Sequence, residues 1–262
     1  MTGERPPRVL VVGATGSIGR LVVTAAARHG LAVRALVRNV DRARPLLPDA
    51  EVVPGDLTDS DSLTAAVQDV DAVVFTHGSA NGAYEEVDYG GVAGVLRALG
   101  DRRARITLMT SINVTRTEAG AYQGLMDWKR RSERLVRASG LPYTIVRPGW
   151  FDMTSPREDR LVLAQGDRGS GAVSREQVAE VLVQSLLSDT AVGRTFELFA
   201  VEGEPPADWA QLFATTAPDQ RGSLDGAGDL AGPRWPRNHR ASAGTSRRCR
   251  TADLDPHRPH HS

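Results

Sequence analysis

The sequence predicts an α/β protein built on a doubly wound parallel sheet. Three observations carry this expectation. Short apolar, β-branched runs alternate with segments of helical periodicity along the chain. The first of these runs stops at a glycine-rich turn that leads into a periodic segment. The chain has 262 residues, 40% of them hydrophobic, enough for one substantial core. Parallel strands need crossover connections, which are usually helices, so this alternation implies a sheet covered on both faces.

Residues 8–12, Arg-Val-Leu-Val-Val, form the first expected strand, and the periodic segment 18–28 the first helix. Strands follow at 32–37, 51–53, 72–76, 105–109 and 143–146, with helices at 84–99 and 127–139 separating the later ones. Beyond them, helices at 176–187 and 206–216 flank a strand at 195–199. These are expected to close the substrate side, together with a polar segment at 153–171 that matches no motif.

The folded domain is expected over residues 1–220, including a small C-terminal lobe, and a tail over 221–262. From Arg221 onward the chain has no Val, Ile, Phe, Tyr or Lys, and it holds four of the six histidines. Such a segment buries too little apolar surface to offset its ordering entropy, so disorder is expected. Its abrupt change of composition matches what an out-of-frame reading of a GC-rich gene produces. His257, His260 and His261 are read as scattered tail histidines, and no metal site is assigned.

Lys and Arg total 32, as do Asp and Glu, so net charge gives no electrostatic ground for nucleic acid or an anionic membrane as partner. The single cysteine, Cys249, has no intramolecular disulfide partner. No basic stretch followed by a long apolar run marks a signal peptide or a membrane span. The cytoplasm is the expected compartment, and a small molecule, argued from local residues, the expected ligand.

The turn Gly13-Ala14-Thr15-Gly16-Ser17-Ile18-Gly19 places three glycines at three-residue intervals between a strand and a helix. Gly13 permits the tight turn, Gly16 lets backbone amides approach a pyrophosphate, and Gly19 lets the helix pack on the sheet. The helix N-terminus adds unpaired amides and a positive dipole end, which predicts a dinucleotide across this turn. Where nicotinamide dinucleotide enzymes commonly place a carboxylate after the second strand, this chain has Arg38. A guanidinium suits a 2′-phosphate, so NADP(H) is preferred and NAD(H) is the alternative; Arg38 can also be read, with Arg42 and Arg44, as a solvated charged face. Asp56 and Leu57 are candidate adenine-edge contacts, with a turn-capping role open for Asp56.

The turn at 13–19, Val53-Pro54-Gly55-Asp56-Leu57-Thr58-Asp59, Asp127-Trp128-Lys129 and Leu141-Pro142-Tyr143-Thr144-Ile145-Val146-Arg147-Pro148-Gly149 together resemble the atypical short-chain dehydrogenase/reductase superfamily, nearest to its NmrA-like NAD(P)H-binding proteins. The resemblance covers about residues 8–216 and implies a Rossmann fold with the cofactor across the carboxyl ends of the strands. It equates Ser111 with the serine that ends the fifth strand and Lys129 with the lysine that bonds the nicotinamide ribose. It places Thr76, His77 and Gly78 beside the cofactor and Pro148, Gly149 and Trp150 at the nicotinamide amide. Asp88-Tyr89-Gly90-Gly91 resembles the segment that begins the helix under the cofactor.

One family residue is missing. The tyrosine four positions before the lysine, which exchanges the proton, is here Leu125. Tyr122, seven positions before Lys129, is the candidate replacement, about 10 Å along an ideal helix instead of about 6 Å. The leading expectation is an NADPH-dependent reductase acting on a quinone- or enone-like acceptor that spreads the incoming charge itself. The alternatives are a non-catalytic NADP(H)-binding redox sensor with a regulatory protein partner, and a sugar epimerase or dehydratase. A monomer or weak dimer is expected, because the arginine-dense helix around Arg130, Arg131, Arg134 and Arg137 forces no dimer seam.

Overall fold

The computed structural model describes residues 5–79, 82–116, 120–151 and 157–230. In chain order the elements are β1 (Arg8–Val12), α1 (Ser17–Arg28), β2 (Ala32–Val37), the short α2 (Val40–Ala43), β3 (Ala50–Pro54), α3 (Ser60–Ala66) and β4 (Ala72–Phe75). A π-helical turn (Tyr84–Tyr89) leads into α4 (Gly90–Leu99), followed by β5 (Arg105–Met109), a 3-10 turn (Gly120–Tyr122), α5 (Gln123–Ala138) and β6 (Tyr143–Pro148). The chain continues through β7 (Trp150–Phe151), β8 (Arg160–Ala164), β9 (Ala172–Val173), α6 (Arg175–Leu187), β10 (Arg194–Val201) and α7 (Trp209–Ala214).

Eight strands form one sheet in the order β3-β2-β1-β4-β5-β6-β10-β8, parallel throughout except for β8, which runs antiparallel beside β10. β7 and β9 pair separately. The α/β doubly wound expectation therefore holds, with β8 as the strand of this sheet that it lacked; the short α2, α3, β7 and β9 were not expected either. Residues 160–164 are apolar at Leu161, Val162 and Leu163, but they sit inside a polar stretch that hid a strand seated on the sheet edge.

Side-chain alternation along β1 sends Val9 and Val11 to one face and Leu10 and Val12 to the other. The first pair packs with Val22 and Ala26 of α1 and Val178 and Leu182 of α6. The second packs with Leu63 of α3, Val92 and Val95 of α4 and Val136 of α5. Each such fully buried aliphatic side chain contributes about 1.5–3 kcal/mol. The strand order reverses between β1 and β4, where Val12 lies in register with Phe75; ligands of open parallel sheets bind in the crevice outside such a reversal.

Residues 221–230 correct the expected boundary at 220. Arg130 and Arg134 of α5 donate to Asp225 at 3.1 and 2.8 Å, and Arg147 of β6 donates to both oxygens of Asp229 at 2.7 Å. Apolar content was the wrong measure for this stretch, because buried arginines hold it through its carboxylates. The remainder of the tail, with His257, His260 and His261, lies outside the described residues. Among the described residues no helix is long and apolar enough to cross a membrane, and no group of three or more His, Cys, Asp or Glu is placed to hold a metal ion.

Candidate functional site

The glycine turn is built as its spacing requires. Gly13 takes φ +88°, and a Cβ there would sit 2.6 Å from the backbone nitrogen of His77. A Cβ on Gly19 would stand 2.1 Å from the carbonyl oxygen of Gly13, so α1 packs on the turn only because that position is bare. Gly16 caps α1 without a side chain to occupy its first amides, and the first turn carries no acidic residue. Thr15, Gly16 and Ser17 are exposed, whereas the Ile18 side chain points into the core, so Ile18 offers a ligand its backbone alone. A cradle that a Cβ would fill, at an open helix N-terminus, fits a dinucleotide diphosphate.

Arg38 stands exposed just past β2, while Asn39 accepts from the amide of Arg42 at 2.9 Å and so starts α2. Asp56 accepts from the amide and hydroxyl of Thr58 at 2.9 and 2.7 Å. These bonds, helped by the nearby Arg38 charge, hold its carboxyl below the usual value. Asp56 is therefore a turn cap that also faces Arg38. Leu57 packs close to α4, its Cδ1 lying 2.9 Å from where a Cβ on Gly91 would stand.

On the other side of the reversal, the Thr76 amide and hydroxyl both donate to Val12 O, at 2.9 and 3.0 Å. The Nε2–H of His77 donates to the carbonyl of Val87 at 3.0 Å, which leaves Nδ1 as the acceptor, buried and without a partner among the described residues. Burial above all, with the Lys129 charge adding, pulls the imidazole pKa down to about 4, so the ring is neutral. Gly78 is exposed, and Ser79 donates to Asp88 from its amide at 3.1 Å and its hydroxyl at 2.7 Å.

Lys129 projects from α5 into this corner, its Nζ 3.7 Å from Asp88 Oδ1, with side chains 13% and 2% exposed. Burial lowers the pKa of its ammonium, and Asp88 and Glu133 oppose that fall. The fold thus unites His77, Gly78 and Lys129 around Asp88, whose part as the lysine's partner no motif announced. A compositional signal marked the position: of 32 Lys and Arg residues Lys129 is the one lysine.

Ser111 follows β5 and is half-buried. Its loop is pinned from a distant segment, where Asp167 accepts from the amides of Asn113 and Thr115 at 2.6 and 2.7 Å and from the Thr115 hydroxyl at 2.8 Å. Tyr122 departs from its expected place. It belongs to the 3-10 turn ahead of α5 and is 64% exposed, so the ideal-helix spacing to Lys129 does not apply. Leu125 lies on α5 one turn before Lys129, half-buried.

Beyond β6, Pro148 is buried and accepts from the amide of Ile112 at 3.2 Å, tying this segment to the serine loop. Gly149 is compressed: a Cβ there would meet the carbonyl oxygen of Gly171 at 2.3 Å. Trp150 is 53% exposed, and Phe151 lies beneath the Arg175 guanidinium at 5.3 Å.

Comparison with known proteins agrees with this geometry. The family model described as NAD(P)H-binding matches residues 13–189. A Bacillus subtilis protein described as the uncharacterized sugar epimerase YhfK is 30% identical over 76% of this chain and 96% of its own length. Phenylcoumaran benzylic ether reductase IRL1 of Ginkgo biloba is 28% identical over 73% of this chain and 68% of its own. Among solved structures, ChuY of Escherichia coli O157:H7, described as an anaerobillin reductase, superposes with a TM-score of 0.63 at 22% identity, covering 76% of this chain and 100% of that one.

Proposed function

The chain belongs to the NAD(P)H-binding family of atypical short-chain dehydrogenases/reductases, and from that premise we propose that it is an NADPH-dependent reductase delivering hydride to a conjugated small-molecule acceptor. The observation that carries this proposal is Leu125, an aliphatic side chain where the resemblance expects the proton-exchanging tyrosine, with Ser111 and Lys129 both retained. A simple ketone becomes an alkoxide that must be protonated in the site, whereas a quinone or enone spreads the charge over its own π system. The similarity to a Ginkgo protein described as a reductase supports the same choice.

The chain's own residues divide the work. The amides of residues 13–19 would bind the diphosphate, and the exposed Arg38 would pair with a 2′-phosphate. Leu57 would lie against the adenine, and the backbone at 76–78 would run beside the nucleotide. Lys129 would orient the ribose and add positive charge near the acceptor, with Ser111 offering a hydroxyl. The segment 148–150 would hold the nicotinamide amide. When bound, the reduced nicotinamide supplies the hydride.

Titration of purified protein with NADPH and NADH, followed by tryptophan fluorescence and then by a panel of quinones and enones, tests this. Tighter binding of NADPH and acceptor-dependent oxidation are expected. Tight binding with no oxidation across the panel overturns the reductase in favour of a redox sensor, for which an intact nucleotide cradle beside a missing tyrosine is the motive. Binding of neither nucleotide overturns both.

A further inference from the structure

Behind Lys129 lies a carboxylate for which the nucleotide has no evident use. Asp88 sits in the π-helical turn before α4, a widened turn of a kind that recurs at functional sites. Its two oxygens are treated differently. Oδ2 takes both hydrogen bonds from Ser79, whereas Oδ1 is buried, has no hydrogen-bond partner among the described residues and lies 3.7 Å from Lys129 Nζ. The carbonyl of Asp88 accepts from Ser132 Oγ at 3.1 Å, less than one turn along α5 from Lys129. The carboxylate and the ammonium are therefore held at a set separation by backbone as well as side chain.

We propose that Asp88 is a positioning residue for Lys129, a buried carboxylate that keeps the chain's one lysine as an aimed ammonium at the nucleotide site. The proposal rests on the placement of Lys129 beside the nucleotide given above. An unpaired ammonium at this depth would lose its proton readily, because burial disfavours the charged form. Two carboxylates oppose that loss, Asp88 from the π turn and Glu133 from α5. Glu133 is already bonded to Arg147 at 2.7 Å and Arg137 at 3.2 Å, so Asp88 is the carboxylate left to the lysine. His77, on the same side, is neutral and adds no competing charge. Arginine serves at every other basic position of the chain, but its broad planar fork differs in shape and hydration from the compact ammonium used here.

Because the chain has one lysine, full-length protein grown on lysine labelled with 13C at Cε gives a single side-chain resonance, and its pH titration reads Lys129 directly without nucleotide. In Asp88→Asn the midpoint is expected to fall by about 1–3 units. An unchanged midpoint in the folded variant overturns the proposal. The unsubstituted protein gives a second reading should the variant fail to fold. Its lysine is expected to be an ammonium at pH 7, and a neutral amine there overturns the proposal equally. Nucleotide titration of the same samples separates the two claims, since a shifted midpoint in a protein that binds no NADPH would sink the reductase and leave the Asp88–Lys129 pairing standing.

Discussion

Two buried ionic clusters share α5 one helical turn apart, and they are finished to different degrees. Glu133 itself uses both oxygens. Oε1 accepts from Thr110 at 2.7 Å and Arg147 at 3.0 Å, and Oε2 accepts from Arg147 at 2.7 Å and Arg137 at 3.2 Å. Glu197, which Arg147 also meets at 3.5 Å, nevertheless keeps a buried Oε2 without a hydrogen-bond partner among the described residues. Arg147 goes on to Asp229, and Arg137 to Asp219 at 3.2 Å and Thr195 at 2.8 Å. Around Lys129, by contrast, Asp88 Oδ1 and His77 Nδ1 are buried without partners among the described residues, and the ion pair stands open at 3.7 Å. Buried polar groups are ordinarily satisfied, so the first cluster reads as scaffold. The open bonds of the second lie beside the proposed nucleotide site, whose ligand would meet them.

The sharpest way to break this contrast is Glu133→Ala. It leaves Arg147 and Arg137 buried beside a vacancy, and removal of one partner of a buried pair costs about 3–5 kcal/mol. Urea unfolding should show that loss, while Lys129→Met, which strands Asp88 from a looser pair at 3.7 Å with Ser79 still bonded to its other oxygen, should cost less stability and weaken NADPH binding. Equal losses of stability from the two would erase the distinction. Next in size, Asp229→Ala should destabilise by about 1.5–3 kcal/mol, the range for hydrogen bonds to charged groups, and should expose residues 221–230 to limited proteolysis. Protection of that segment in the variant would mean that something other than Arg147 holds it.

On the ligand side, Arg38→Ala should weaken NADPH about tenfold or more, with NADH unchanged, as loss of a charge-assisted contact implies. Equal weakening of both nucleotides would return Arg38 to a solvated face. The two clusters should also separate by pH. Glu133, held down to about 2, lends stability that is complete above its unfolded value of 4.5 and is lost as pH falls toward 2. His77, lowered from 6.5 to about 4, takes its proton more readily in the unfolded chain, so stability should decline as pH falls from 6.5 toward 4. Unfolding midpoints between pH 7 and 4.5 measure the second effect, at most about 1.4 kcal/mol per pH unit, and His77→Gln should flatten it. A slope that survives that substitution would assign the titration elsewhere.

Much of the fold was legible because strands β1, β2, β4, β5 and β6 are local runs whose burial on both faces makes them mostly apolar, with Arg34, Thr107, Thr144 and Arg147 as buried exceptions. The Gly13–Gly19 turn was legible for a related reason, since each glycine answers a backbone demand within a few residues of itself. β8 was not, because its neighbour β10 lies more than thirty residues away and its own flanks are polar. Tyr122 was misplaced because an ideal helix was extended past the point where α5 begins. Asp167, Asp225 and Asp229 look like ordinary loop aspartates in sequence, and only their distant partners distinguish them.

The amino-acid sequence by itself determined the strand-and-helix alternation, the glycine turn at 13–19 and the absence of a tyrosine four positions before Lys129. These depend on periodicity, on backbone conformations open mainly to glycine, and on residue identity, all of which act over short stretches of chain. The tertiary structure alone decided which carboxylate meets which cation: Asp88 with Lys129, Glu133 and Asp229 with Arg147, Asp225 with Arg130 and Arg134. Charge pairing carries no sequence periodicity, and its strength depends on separation and burial, which exist only once the chain has closed on itself.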